Sequence, residues 1–127
     1  MGSLRKTVSV LCWAISAPAL PLVAQTLPHT EPLHLFATCT GRLSALLEYQ
    51  WLVLDPDADA TEARRDAMAE LLAAAMPPEG ASRAMDLRLQ AKAAEAQLLL
   101  QALGRNGAWA LALAKRQVAN CTALLLS

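Results

Sequence analysis

Residues 32–54 read PLHLFATCTGRLSALLEYQWLVL, and this stretch decides the fold. Phe36, Cys39, Leu43, Leu46, Leu47, Val53 and Leu54 recur at steps that place them on one helical face. Pro32 suits a first helical turn, with Thr30 or Glu31 as its cap. Asp55-Pro56 ends the run, because a residue before proline avoids helical angles. Arg42, Ala45, Glu48 and Tyr49 fall largely on the opposite face, and Gly41 is a mild weakness inside the helix.

The same spacing continues downstream. After DPDADATE, where Asp59 and Glu62 form a capping pair, a second helix is predicted over 60–76. Its stripe is Ala63, Ala67, Met68, Leu71, Leu72 and Ala75. Pro77-Pro78-Glu79-Gly80 breaks the chain. A third helix over 81–103 carries Met85, Leu89, Ala93, Ala96, Leu99, Leu100 and Leu103 as its core-facing stripe. Gly104-Arg105-Asn106-Gly107 supplies a stop and a turn. A fourth helix over 108–126 repeats the pattern with Leu111, Ala114, Val118, Cys121 and Leu125. Hydrophobic residues make up 55% of the chain but aromatics only 4%, so the apolar content is mostly the helix formers Ala and Leu. The fold class expected is all-α.

Upstream, Arg5 and Lys6 precede an apolar run over 7–20, which leads into PLVAQT. This is the three-part plan of a secretory signal peptide. Residues 1–24 are expected to be cleaved, 25–31 to form a flexible lead, and 32–127 to form a single helical domain. Pro18 and Pro21 cut the apolar run short of the ~20 residues of a spanning helix, so no transmembrane segment is expected after cleavage. The expected location is periplasmic or secreted.

Export removes Cys12 and leaves Cys39 and Cys121, which an oxidising compartment would join. In an antiparallel up-down-up-down four-helix bundle, helices 1 and 4 are neighbours. Cys39 lies seven residues after Pro32, and Cys121 five before Leu126. At ~1.5 Å per residue both sit at similar depth from one end of the bundle. The bond would therefore close helix 1 onto helix 4 and place at equal depth residues whose numbers sum to 160. Trp51 and Trp109 satisfy that sum, so they share a level near the other end. There they either cap the core or stand exposed at a partner surface.

The chemistry available is narrow. The only histidines are His29 and His34, and no phosphate loop, CxxC or CxxCH motif occurs. No enzyme activity and no cofactor are expected. Asp55, Asp57, Asp59 and Asp66 resemble the spacing of a calcium loop, but Ala60 stands where glycine is needed and Pro56 follows the first ligand. These residues read as linker and cap, and no metal site is expected. Met68, Met76 and Met85 read as core and linker packing.

Zero net charge gives no electrostatic case for nucleic acid. The charge is nonetheless divided. Residues 25–79 hold nine acids and three bases, whereas 80–127 hold two acids and six bases. Those bases are Arg83, Arg88, Lys92, Arg105, Lys115 and Arg116. The two halves either complement each other internally or present a dipolar surface that steers docking. With Trp51 and Trp109, the bases form the candidate interaction surface, facing an acidic protein or an anionic membrane surface. The function expected is that of an exported, non-enzymatic accessory protein of a larger assembly. The alternative is a small-ligand or metal carrier using an interhelical cavity.

Overall fold

A computed structural model describes residues 31–127; the expected signal peptide and all but the last residue of the expected lead fall outside the described residues. The described chain is all-α: α1 Pro32–Val53, α2 Ala58–Ala75, α3 Ala81–Ala102 and α4 Ala108–Ala123. Pro32 sits in the first turn of α1, where its missing N–H costs nothing. Leu54 ends α1 in the left-handed region at φ 54°, and the Asp55 N–H closes the turn onto the Gln50 carbonyl at 2.9 Å. The linker cap differs from expectation. Helix α2 begins at Ala58, and it is the Asp55 carboxylate that accepts the Asp57 N–H at 2.9 Å. The local Asx turn forms because Pro56 has already fixed the backbone there.

The helices pack as an up-down-up-down bundle. Leu33 at the start of α1 shares a buried cluster with Leu72 near the end of α2 and Ala84 near the start of α3. Cys39 bonds Cys121, with their Cα atoms 5.4 Å apart. Leu46 and Ala114, whose numbers also sum to 160, lie in the same buried cluster as the disulfide. Helix α1 is thus antiparallel to α2 and α4, and parallel to α3.

Helix α1 is the axis of the bundle. It packs against α2, α3 and α4, and α3 packs against α4, whereas α2 makes marginal contact with no more than one of α3 and α4. Being covered from several sides, α1 buries far more than one stripe. Ala45, expected on its polar face, is buried with Ala37, Thr40, Leu43 and Leu47. The Thr40 hydroxyl, with no water to reach, donates to the Phe36 carbonyl at 2.8 Å. Past Gln50 the cover ends, and Val53 and Leu54 are exposed rather than buried.

Gly41 is where α1 and α3 come closest. A Cβ there would collide with the Arg88 carbonyl and lie 3.0 Å from the Lys92 backbone N. The glycine costs about 1 kcal/mol of helix propensity, but a methyl group would push a packed backbone aside at ~1–3 kcal/mol. Gly41→Ala is therefore expected to destabilise the protein, against its helix propensity, by about 1 kcal/mol in chemical denaturation. A gain in stability would show that α1 and α3 do not meet there.

Helix α4 depends most on the disulfide. Its buried residues are Ala110, Ala114, Val118 and Cys121, a small apolar area for a helix of 16 residues. The bond joins residues 82 apart, worth about 4 kcal/mol in the chain-entropy description. Cys39→Ser should lower stability by about 2–4 kcal/mol and expose a titratable thiol at Cys121. Amide exchange should lose protection in α4 before α1. Unchanged melting, or uniform loss of protection, would contradict this account.

Candidate functional site

The third helix is where sequence periodicity and packing part company. The stripe read as core-facing is largely exposed. Met85, Leu89, Leu100 and Leu103 are each at least half exposed, and Ala93 is exposed beside them. Of that stripe only Leu99 is fully buried, with Ala96 partly so. The buried face is turned roughly a quarter of a helical circle away, through Ala84, Glu95 and Leu99. Its rotation follows from Gly41, which draws the Arg88–Lys92 backbone onto α1. Residues 85, 89, 93, 96, 100 and 103 step by three and four, so they form one narrow apolar seam about five turns long.

The predicted interaction residues divide among several places. Arg88 and Lys92 line a groove between α2 and α3, with Trp51, Met85 and Leu89. Lys92 is paired with Glu48 at 2.5 Å, and Arg83 with Glu31 at 3.3 Å. These two bridges join the acidic half to the basic half, as internal complementation requires. Arg88, Arg105, Lys115 and Arg116 make no ion pair among the described residues. Arg105 lies in the α3–α4 turn, Arg116 is exposed on α4, and Lys115 faces a different groove, between α2 and α4. Trp51 and Trp109 are 51% and 59% exposed, so neither caps the core. Met85, read as packing, is likewise at the surface, whereas Met68 is fully buried.

The aspartates of the linker do not wrap a loop. From Ala58 to Ala75 the chain is helix, and Asp66 is spent on Arg65. His34 is exposed on the first turn of α1, and His29 lies outside the described residues.

Sequence reading missed two polar groups. Glu95 is 1% exposed, and neither carboxylate oxygen has a hydrogen-bond partner. Gln50 is 6% exposed and its Oε1 is equally unpartnered. Each such group costs on the order of 1–3 kcal/mol against an apolar side chain of similar shape. The rotated stripe hid Glu95, because a carboxylate at that position belongs on the solvent face if Leu89 and Ala93 are core.

Burial pushes the Glu95 carboxyl up to about 7, and the nearby Arg42 guanidinium offsets this only in part. An unfolded glutamate releases its proton near 4.5. Between these values the folded chain holds a proton that the unfolded chain has lost, so stability falls as pH rises through that window. Below it both states are protonated, and above it both are ionised, so the slope vanishes on either side. The total loss is on the order of 3 kcal/mol. Denaturation midpoints should drop between pH 4.5 and 7, and Glu95→Gln should flatten that dependence. A wild-type profile that is level or rises across the window would refute the burial.

No family model, curated protein or solved structure matches this chain. No helix among the described residues is long and apolar enough to cross a membrane.

Proposed function

We propose that this chain is an exported, non-enzymatic docking protein that holds an acidic amphipathic helix of a larger assembly along α3. The observation carrying this reading is the solvent-facing seam of Met85, Leu89, Ala93, Leu100 and Leu103. An apolar stripe this continuous is the kind of surface that marks a partner site. Its narrow three-and-four spacing suits one helix seated knobs-into-holes, rather than a broad lipid-facing arc. The charge supports an acidic partner. Arg88 flanks the seam without an ion pair among the described residues, and residues 80–127 carry three times as many bases as acids, six against two. A second copy of α3 would bring Arg88 and Lys92 against their own kind. The signal-peptide plan and the disulfide favour the periplasm, where such accessory subunits join larger complexes.

The test is native purification of the tagged full chain from soluble and membrane fractions, with crosslinking from Lys92. A stoichiometric partner whose crosslinked segment is an acidic amphipathic helix is expected, with an affinity that falls as salt rises. Leu89→Glu and Leu100→Glu, at exposed positions, should abolish capture while leaving the melting temperature near wild type. A free monomer under every extraction, a self-dimer through α3, or capture that survives both substitutions would overturn the proposal.

A further inference from the structure

Glu95 shares α3 with the apolar seam, whose members Ala93 and Ala96 flank it in the chain. Both belong to one helix, so a turn of α3 that carries Glu95 toward water also moves the seam. The seam is displayed only while a carboxyl is held in the core.

Nothing around that carboxyl compensates a charge. Glu95 is 1% exposed and neither of its oxygens has a partner. Helix α3 packs against α1 and α4. From α1, Arg42 is the charge whose field reaches Glu95. Arg42 is half-buried and makes no ion pair among the described residues. Glu48 of α1 is taken by Lys92, which lies three residues before Glu95 on α3 itself. His34 is exposed in the first turn of α1, about two turns before Arg42. The buried side chains of α4 are uncharged, and its cations Lys115 and Arg116 are exposed. These surroundings suit a neutral carboxyl and leave a carboxylate with one guanidinium outside ion-pair contact.

We propose that the protonation state of Glu95 gates the α3 seam, a regulation that rests on the docking role proposed for that seam. With the carboxyl neutral, α3 stays seated on Gly41 and the seam faces solvent. When the proton leaves to water, the buried carboxylate opposes that seating. Helix α3 then turns to bring Glu95 to water, which carries Met85 and Leu89 inward. A glutamate in water ionises near 4.5, whereas burial holds this one up to about 7. The seam-out state therefore holds the proton more tightly than the seam-in state. Its population falls as pH rises from 4.5 to 7 and is level on either side of that window. The full bias is on the order of a hundredfold. Capture of an acidic helix is accordingly strongest on the acid side.

The experiment follows the methionine methyl groups of the labelled, oxidised full chain by NMR, with a neutral gadolinium chelate in solution as the exposure probe. Met85 is half exposed, and the fully buried Met68 is the internal control. Broadening of Met85 should fall severalfold as pH rises from 4.5 to 7, while Met68 stays protected throughout. Glu95→Gln should keep Met85 broadened at every pH. Arg42→Gln should extend the fall to higher pH, because the guanidinium no longer supports the carboxylate. If Glu95→Gln fails to fold, Arg42→Gln carries the test. A level Met85 profile in the wild type, a fall that survives Glu95→Gln, an unchanged profile in Arg42→Gln, or a fall that Met68 shares would overturn the gate. The measurement needs no partner, so the two proposals fail separately. A titrating Met85 in a chain that captures nothing would sink the docking role and leave the gate standing. A level Met85 in a chain that captures an acidic helix would sink the gate alone.

Discussion

At Gly41 the backbones of α1 and α3 approach so closely that no side chain fits between them, and much of the remaining architecture follows from that contact. Two parallel helices held this near leave α1 with cover from α3 along most of its length. The other flanks of α1 are then available to α2 and α4, and α1 becomes the axis. Its small residues, Ala37, Thr40, Gly41 and Ala45, are buried because neighbours come close on several sides at once. The disulfide completes the arrangement from the far side. It holds an α4 whose buried side chains are all small, and so contributes what apolar area there does not.

The helices and their breaks were legible because proline, glycine and apolar spacing act locally. Pro32, Pro56 and the Pro77–Gly80 segment bound helices wherever the chain is placed. The cysteine pair was legible for a different reason. Chain direction and loop length already bring Cys39 and Cys121 to one depth, and the antiparallel register needs only that. What covers each face was not legible. Periodicity shows that α3 has an apolar stripe, but it cannot show whether that stripe meets α1 or solvent. The decisive fact, the Gly41 contact, looked in the sequence like a weakness in a helix.

The same limit accounts for the divided fate of the candidate site. Arg83 and Lys92 are drawn into bridges with Glu31 and Glu48, so part of the charge asymmetry is internal complementation. The remainder does not form one patch, because Arg88 and Lys115 face grooves on opposite sides of α2. Net charge per half is additive along the chain, whereas a surface depends on which residues the packing brings together. Trp51 and Trp109 illustrate the point: helix depth could be counted from the disulfide, but exposure could not.

Three features break local rules: an apolar seam in solvent, a carboxylate without a partner in the core, and a buried amide with an unpaired oxygen. Two of them have one mechanical origin. Turning α3 to seat its backbone on Gly41 moves Leu89 outward and Glu95 inward together. A rotation of α3 back toward a conventional core would bury the seam and return Glu95 to water, relieving both penalties. The close contact opposes that rotation, and a bundle selected only for stability would not need it. The cost is borne where the exposed seam results, which is the pattern expected when local consistency is given up for a surface that something else must cover.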